Sequence, residues 1–231
     1  METPVPSRPP AVSHTPAASL TASPHPTSTA TALPGWVTDF VQPILASIAD
    51  RPPDFQDDFG AGTGGWQSSQ NCGQHLEYLD GELVITHCVA SRPNMIFTDF
   101  VIAFDARMLP GSSSAARWLF RYRDTGGFYD AGSLGHNLWI NRGGNVTLGF
   151  NDVWNGPTSL DFPHAAKAGN ETNHLLVIGK GPGMAILIND QPLYWFEAPI
   201  PNYGEFVFWS MDAILGIDNL KVWNIGNITI P

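Results

Sequence analysis

From Phe55 to the C-terminus, apolar residues recur at alternate positions in short runs, broken roughly every ten residues by Gly, Pro, Asn or Asp. That period of two predicts antiparallel strands. The clearest unit is His75 to Thr86. With Asp80-Gly81 as a type I′ turn, Tyr78 faces Leu83 and Leu76 faces Ile85, so all four apolar side chains share one face of a hairpin.

Along Thr98 to Met108, alternation assigns Phe100, Ile102, Phe104, Ala106 and Met108 to the core and Asp99, Val101, Ala103, Asp105 and Arg107 to the opposite face. After a turn at Pro110-Gly111-Ser112, Trp118, Phe120 and Tyr122 alternate with Arg117, Leu119, Arg121 and Arg123. The expectation is that Asp105 and Arg107 lie near Arg117 and Leu119 on one charged face. A further hairpin turns at Gly143-Gly144. It sends Leu138, Ile140, Val146, Leu148 and Phe150 inward and Asn137, Trp139, Asn141, Asn145, Thr147 and Asn151 outward. The segments His174 to Ile178 and Met184 to Ile188 are apolar on both faces, as central strands are.

Ahead of the strands the rhythm changes. Trp36, Phe40, Val41, Ile44, Leu45 and Ile48 follow a helical period, with Pro43 starting or kinking the helix and Arg51-Pro52-Pro53 ending it. Asp39 and Asp50, with no Lys or Arg before Arg51, favour packing on the domain over lying on a membrane. Residues 1–34 are mostly Pro, Thr, Ser and Ala, too poor in large apolar side chains to offset the entropy of ordering. The chain therefore divides into a disordered linker at 1–34, a short amphipathic helix and connector at 35–54, and an all-β sandwich at 55–231.

Composition narrows the class of partner. The formal net charge is -10 with only three lysines, which argues against nucleic acid and anionic membrane, since both need clustered cations. No apolar run is long enough to span a bilayer, and the N-terminus lacks the basic start and apolar core of an export signal. A secreted-looking domain of this kind is expected to be a piece of a larger extracellular or cell-surface protein. The two cysteines, Cys72 and Cys88, fit either one disulfide or two buried thiols. In the hairpin register Cys72 falls opposite Val89, so a disulfide needs a bulge or an irregular strand end.

Several segments together resemble the concanavalin A-like lectin/glucanase superfamily, especially its bacterial laminin G-like and 3-keto-disaccharide hydrolase-like branch. They are Asp57-Asp58-Phe59 with Gly65-Trp66, Asp80-Gly81-Glu82-Leu83-Val84-Ile85, and Phe120-Arg121-Tyr122-Arg123-Asp124 with Phe128-Tyr129. Ile188-Asn189-Asp190-Gln191-Pro192-Leu193 and Ile217-Asp218-Asn219-Leu220-Lys221-Val222-Trp223 complete the set. The resemblance implies a jelly-roll sandwich of two antiparallel sheets, with ligands bound on one sheet or its rim loops. It also implies functional breadth, because lectins, binding modules and glycosidases share the fold. A calcium ion tying the first strand to the last is common in such modules, and Asp57, Asp58 and Asp218 are the oxygen ligands it would use.

Signs of catalysis are weak. Glycoside hydrolysis needs two carboxylates across one bond, and the Glu-x-Asp-x-x-Glu run of the superfamily's glucanases does not occur. Asp99 and Asp105 share a face, but neighbouring arginines would hold both ionised, which suits binding or structure. A binding site is better supplied. Sugars are held by aromatic faces and by planar amide or guanidinium groups, and Asn137, Trp139, Asn141 and Asn151 beside Arg121 and Arg123 provide both kinds, with Tyr129 and Trp154 as rim candidates. The arginines also permit an acidic glycan. The expected role is a non-catalytic carbohydrate-binding or adhesion module, with a glycoside-processing enzyme and a laminin G-like protein-interaction module as alternatives.

Overall fold

The computed structural model describes residues 32–61, 65–68, 75–123, 135–152, 156–197 and 204–229. A π-helical turn at Val37–Val41 runs into helix α1, Gln42–Ile48. Strands follow as β1 Phe55–Asp57, β2 Gln67–Ser68, β3 Leu76–Leu79, β4 Glu82–Thr86, β5 Val89–Phe97, β6 Phe100–Met108, β7 Arg117–Arg123 and β8 Gly135–Asn141. The remainder are β9 Val146–Asp152, β10 Gly156–Phe162, β11 Asn173–Lys180, β12 Gly183–Ile188, β13 Gln191–Glu197, β14 Gly204–Met211 and β15 Ile214–Asn224.

Two antiparallel sheets stack face to face. The first has the order β13-β12-β11-β6-β15-β4-β3, with β1 also paired to β15, and the second has the order β10-β9-β8-β7-β14-β5-β2. The hairpin read from Asp80-Gly81 is present: Leu76 pairs with Ile85 and Tyr78 with Leu83, and both turn residues have positive φ, 53° and 82°. A positive φ at both central positions is what a type I′ turn requires. Asn189 and Asp190 repeat that geometry between β12 and β13.

The core between the sheets is aromatic. Phe104 of the first sheet lies 5.2 Å from Phe120 and 5.1 Å from Phe208 of the second, and Phe100 stands edge-on to Phe206 at 5.0 Å. All of these rings are buried. They are the side chains that alternation assigns inward along β6, β7 and β14.

A second apolar layer lies on the outer face of the first sheet. Val37, Val41, Ile44 and Ile48 pack on Val101 of β6, Ile178 of β11, and Ala185 and Leu187 of β12. This explains why β11 and β12 are apolar on both sides. The helix forms where its sequence permits: Gln42 donates its N–H to the Val37 carbonyl five residues back, and Pro43, which has no N–H, sits in the first turn of α1. Phe40 leans over Gly183, where a Cβ would come within 2.8 Å of its ring.

Two sequence expectations fail here. Val101 lies beneath this outer layer at 0% exposure and Ala103 is buried too, at 8%, so the face opposite the core is not wholly charged. Nor do Asp105 and Arg107 adjoin Arg117 and Leu119, because β6 and β7 belong to different sheets. The segment after Pro110-Gly111 crosses between the layers instead of closing a hairpin. Gly111, at φ 98°, starts that crossing, and the Ser112 hydroxyl accepts the Ile214 N–H at 2.9 Å.

Candidate functional site

The outer face of the second sheet carries the outward residues of β7, β8, β9 and β14. In one cross-strand row stand Trp209, Leu119, Trp139, Thr147 and Asp161. The next row holds Val207, Arg121, Asn137 and Gly149, and on the other side Met211, Arg117 and Asn141 follow. Strands β14 and β8 flank β7, so their backbones are about 9.6 Å apart. Their indole rings are only 6.0 Å apart, centroid to centroid. The two tryptophans therefore lean together over Leu119, which is 1% exposed.

Arg117 lies with its guanidinium 4.9 Å from the Trp139 ring centroid, an attraction of a cation to the ring's negative face. Arg117, Trp139, Asn141, Asn145 and Thr147 line one cleft of about 300 Å3. The polar groups in it have a consistent sense. Asn141 Oδ1 accepts the N–H groups of Gly143 and Asn145 at 2.9 and 3.1 Å, and Asn145 Oδ1 accepts the His164 N–H at 3.0 Å. Because both amide oxygens are fixed by backbone donors, both NH2 groups are left to donate. Thr147 gives its hydroxyl proton to Asp161 at 2.7 Å. What the cleft offers is a guanidinium, two amide NH2 groups and one flat indole.

The sequence candidates divide as follows. Asn137, Trp139 and Asn141 share this face, and Trp139 and Asn141 line the cleft. Arg121 is on the same face but only 7% exposed, packed between Val207 and Asn137. Arg123 and Asn151 fall on β7 and β9, but their side chains, like all of Tyr129 and Trp154, lie outside the described residues. Arg117, Asn145, Thr147 and Trp209 join the set. Trp209 was findable from alternation, since Phe206, Phe208 and Ser210 turn inward and leave it outward.

His136, at the start of β8, faces the opposite way, into the gap between the sheets. It is buried beside Phe120, Leu138, Val177, Met184 and Phe196, with the Phe196 ring edge-on at 5.2 Å. Burial, and then the positive charge of Arg121 across the strand, lower its pKa to about 4. It is a neutral core imidazole at neutral pH.

No protein-family model matches the chain, and no curated protein matches its sequence. Solved structures do. The chain is similar to the carbohydrate binding module CBM66 from Bacillus subtilis, at 14% identity and a TM-score of 0.55, over 69% of this chain and 96% of that one. It is similar to the Bacillus licheniformis beta-glucanase at 12% identity and a TM-score of 0.58, over 75% and 99%. For LamAcat from Zobellia galactanivorans the figures are 13% identity and 0.57, over 76% and 99%. The fold is the concanavalin A-like jelly roll.

The carboxylates named from the sequence as calcium ligands already hold hydrogen-bond partners. Asp57 is committed: Oδ1 accepts the Phe59 N–H at 2.9 Å, Oδ2 accepts the Trp66 indole N–H at 3.2 Å, and the Arg92 guanidinium lies 3.7 Å away. Asp58 accepts the Gly60 N–H at 3.1 Å. Asp218 has its pKa raised, chiefly by burial and then by Glu82, Asp105 and Asp58, while the Asn219 N–H opposes the shift. Among the described residues no three His, Cys, Asp or Glu side chains are grouped to hold a metal ion. Strand pairing joins β1 to β15.

The acids of the first sheet are likewise engaged. Asp105 meets His174 Nδ1 at 2.8 Å and the Asn219 amide at 2.9 Å, and Asp99 meets Lys180 at 2.8 Å. Neither is paired with an arginine, contrary to the sequence expectation. Arg107 instead makes a two-pronged bond to Glu82 at 2.7 and 2.9 Å, which raises the Arg107 pKa. That pair passes over Gly216, where a Cβ would stand 2.9 Å from the Glu82 carboxylate. Among the described residues no cysteine is free; Cys88 is buried, and Cys72 lies outside them.

Proposed function

We propose that this chain is a non-catalytic carbohydrate-binding module whose ligand lies on the outer face of the second sheet, over Trp139. The observation that carries the reading is the cleft itself: one indole with a guanidinium over its face and two asparagine amides beside it whose oxygens already accept backbone N–H groups. An aromatic plane covers the C–H face of a sugar, and the donors meet its hydroxyl and ring oxygens. The similar structures, a carbohydrate binding module and glucanases, support a carbohydrate ligand.

Among the described residues the acids of this face are too far apart for hydrolysis. Asp161 of β10 and Glu205 of β14 are separated by β9, β8 and β7. Four inter-strand steps of ~4.8 Å put them about 19 Å apart. Glycosidase pairs stand roughly 5 to 9.5 Å apart. Residues 1–34, with their Pro/Thr/Ser/Ala composition, serve in this reading as a tether to the rest of a secreted or surface protein.

The test is retention on polysaccharide affinity gels, with tryptophan fluorescence as a second readout. Trp139→Ala should weaken binding about tenfold or more, the loss typical of a central aromatic contact. No retention across a broad panel of glycans would refute the proposal. Turnover of 3-keto-glycosides by the purified chain would show it to be an enzyme.

A further inference from the structure

We infer that the glycan this face takes is acidic, with the carboxylate of a uronic acid, or an equivalent anionic group on the sugar, meeting Arg117. The inference rests on the binding-module reading above and specifies its ligand.

The first observation is the imbalance of the cleft. Its amide oxygens are already accepting backbone N–H groups, and the Asp161 carboxylate beside it already accepts the Thr147 hydroxyl. What remains are donors: the Arg117 guanidinium and the Nδ2 groups of Asn141 and Asn145. A neutral sugar presents hydroxyls that both donate and accept, and would find fewer acceptors than donors here, since the Asn141 oxygen already takes two N–H groups and those of Asn145 and Asp161 one each. A carboxylate has acceptors only, and suits a site made of donors.

The second observation is where the free charge sits. The chain has a formal net charge of -10, and its described cations are mostly consumed: Arg51, Arg92, Arg107 and Lys180 pair with carboxylates. Arg142 and Lys167 bond to carbonyls. Arg117 is exposed, and its one described partner is the face of Trp139. The strand that carries it reads Arg-Trp-Leu-Phe-Arg-Tyr-Arg, three arginines and no acid. In an acidic protein, a guanidinium that sits over an indole and has no carboxylate partner among the described residues is available to an anion. The planar fork meets a carboxylate with two parallel bonds.

The experiment compares the chain on polygalacturonate, on the same polymer after its carboxyls are reduced to hydroxymethyl groups, and on a neutral β-glucan. Binding to native polygalacturonate should be at least about tenfold tighter than to the reduced form and should weaken as salt is raised. Arg117→Gln should bring the native polymer down to the level of the reduced one, with Arg117→Lys between. Equal affinity for native and reduced polymer, or an Arg117→Gln chain that still prefers the native polymer, overturns the inference. If neutral glucan is bound and polygalacturonate is not, the acidic ligand is wrong while the binding module stands. If no polymer is bound, both readings fall.

Discussion

His136 makes an acid-stability prediction that can be worked from its surroundings. The imidazole faces the gap between the sheets, with Phe196 edge-on at 5.2 Å and Phe120, Leu138, Val177 and Met184 around it. Its pKa falls from 6.5 to about 4, first because the cation loses its hydration and second because Arg121 is already positive nearby. The folded pKa lies below the unfolded one, so between pH 6.5 and about 4 the unfolded chain binds more protons. Stability is therefore intact above pH 6.5 and is lost as the pH falls, levelling off below about 4. A difference of 2.5 units, 6.5 minus 4, corresponds to about 3 kcal/mol at the acid limit and ~2 kcal/mol at pH 5. The assay is urea unfolding of the wild type and of His136→Leu across pH 7.5 to 5, followed by tryptophan fluorescence. Carboxylates titrate in both proteins and cancel in the difference. That difference should shift by ~2 kcal/mol in favour of His136→Leu as the pH drops. Should the variant fail to fold, the imidazole pKa measured by NMR in the wild type decides the matter. Parallel stability profiles, or an NMR pKa above 6, would refute the reasoning.

Two further substitutions probe the scaffold. Ile44 is fully buried between α1 and the outer face of the first sheet, so Ile44→Ala should cost about 2 to 4 kcal/mol in chemical unfolding while leaving glycan retention unchanged. Equal stability would mean that the helix is not part of the cooperative unit. Gly144 has φ 80°, and a Cβ there would stand 2.3 Å from the Ala166 carbonyl oxygen. Gly144→Ala should therefore lower the unfolding midpoint by well over the ~1 kcal/mol of backbone strain alone, and should loosen Asn141 and Asn145 at the cleft.

The hairpins were legible because turn chemistry and alternation agree locally. Asp80-Gly81 fixes its own register, and Gly143-Gly144 fixes the faces of Trp139 and Asn141. The sheet assignment of β7 was not legible. Alternation says which side of a strand faces the core, and the crossing after Pro110 preserves that pattern whether the chain stays in one sheet or changes to the other. Arg117 was overlooked as a ligand contact for a related reason. Its sequence neighbourhood is the same as that of Arg121, and only the packing separates an exposed guanidinium over Trp139 from one that is 7% exposed. The partners of the acids at the end of β1 were not legible either: Asp57 takes the Phe59 and Trp66 N–H groups, while Asp58, just past the strand, takes that of Gly60.

The two outer faces of the sandwich differ, and the contrast supports the proposed site more than any one residue does. On the first sheet, one part of the outer face is closed by the helix over Val101, Ile178 and Leu187. The rest carries acids that already have partners, in Glu82 with Arg107 and Asp105 with His174 and Asn219. A ligand there would have to displace bonds the fold already makes. On the second sheet the outer face has no helix above it among the described residues, and its polar groups are oriented from behind by backbone N–H groups, leaving their donors outward. Pre-oriented groups lose little freedom when a ligand arrives, so more of each new bond appears as affinity. The face that the fold leaves open is also the face it has stiffened, and among the described residues Arg117, over Trp139, is its exposed cation.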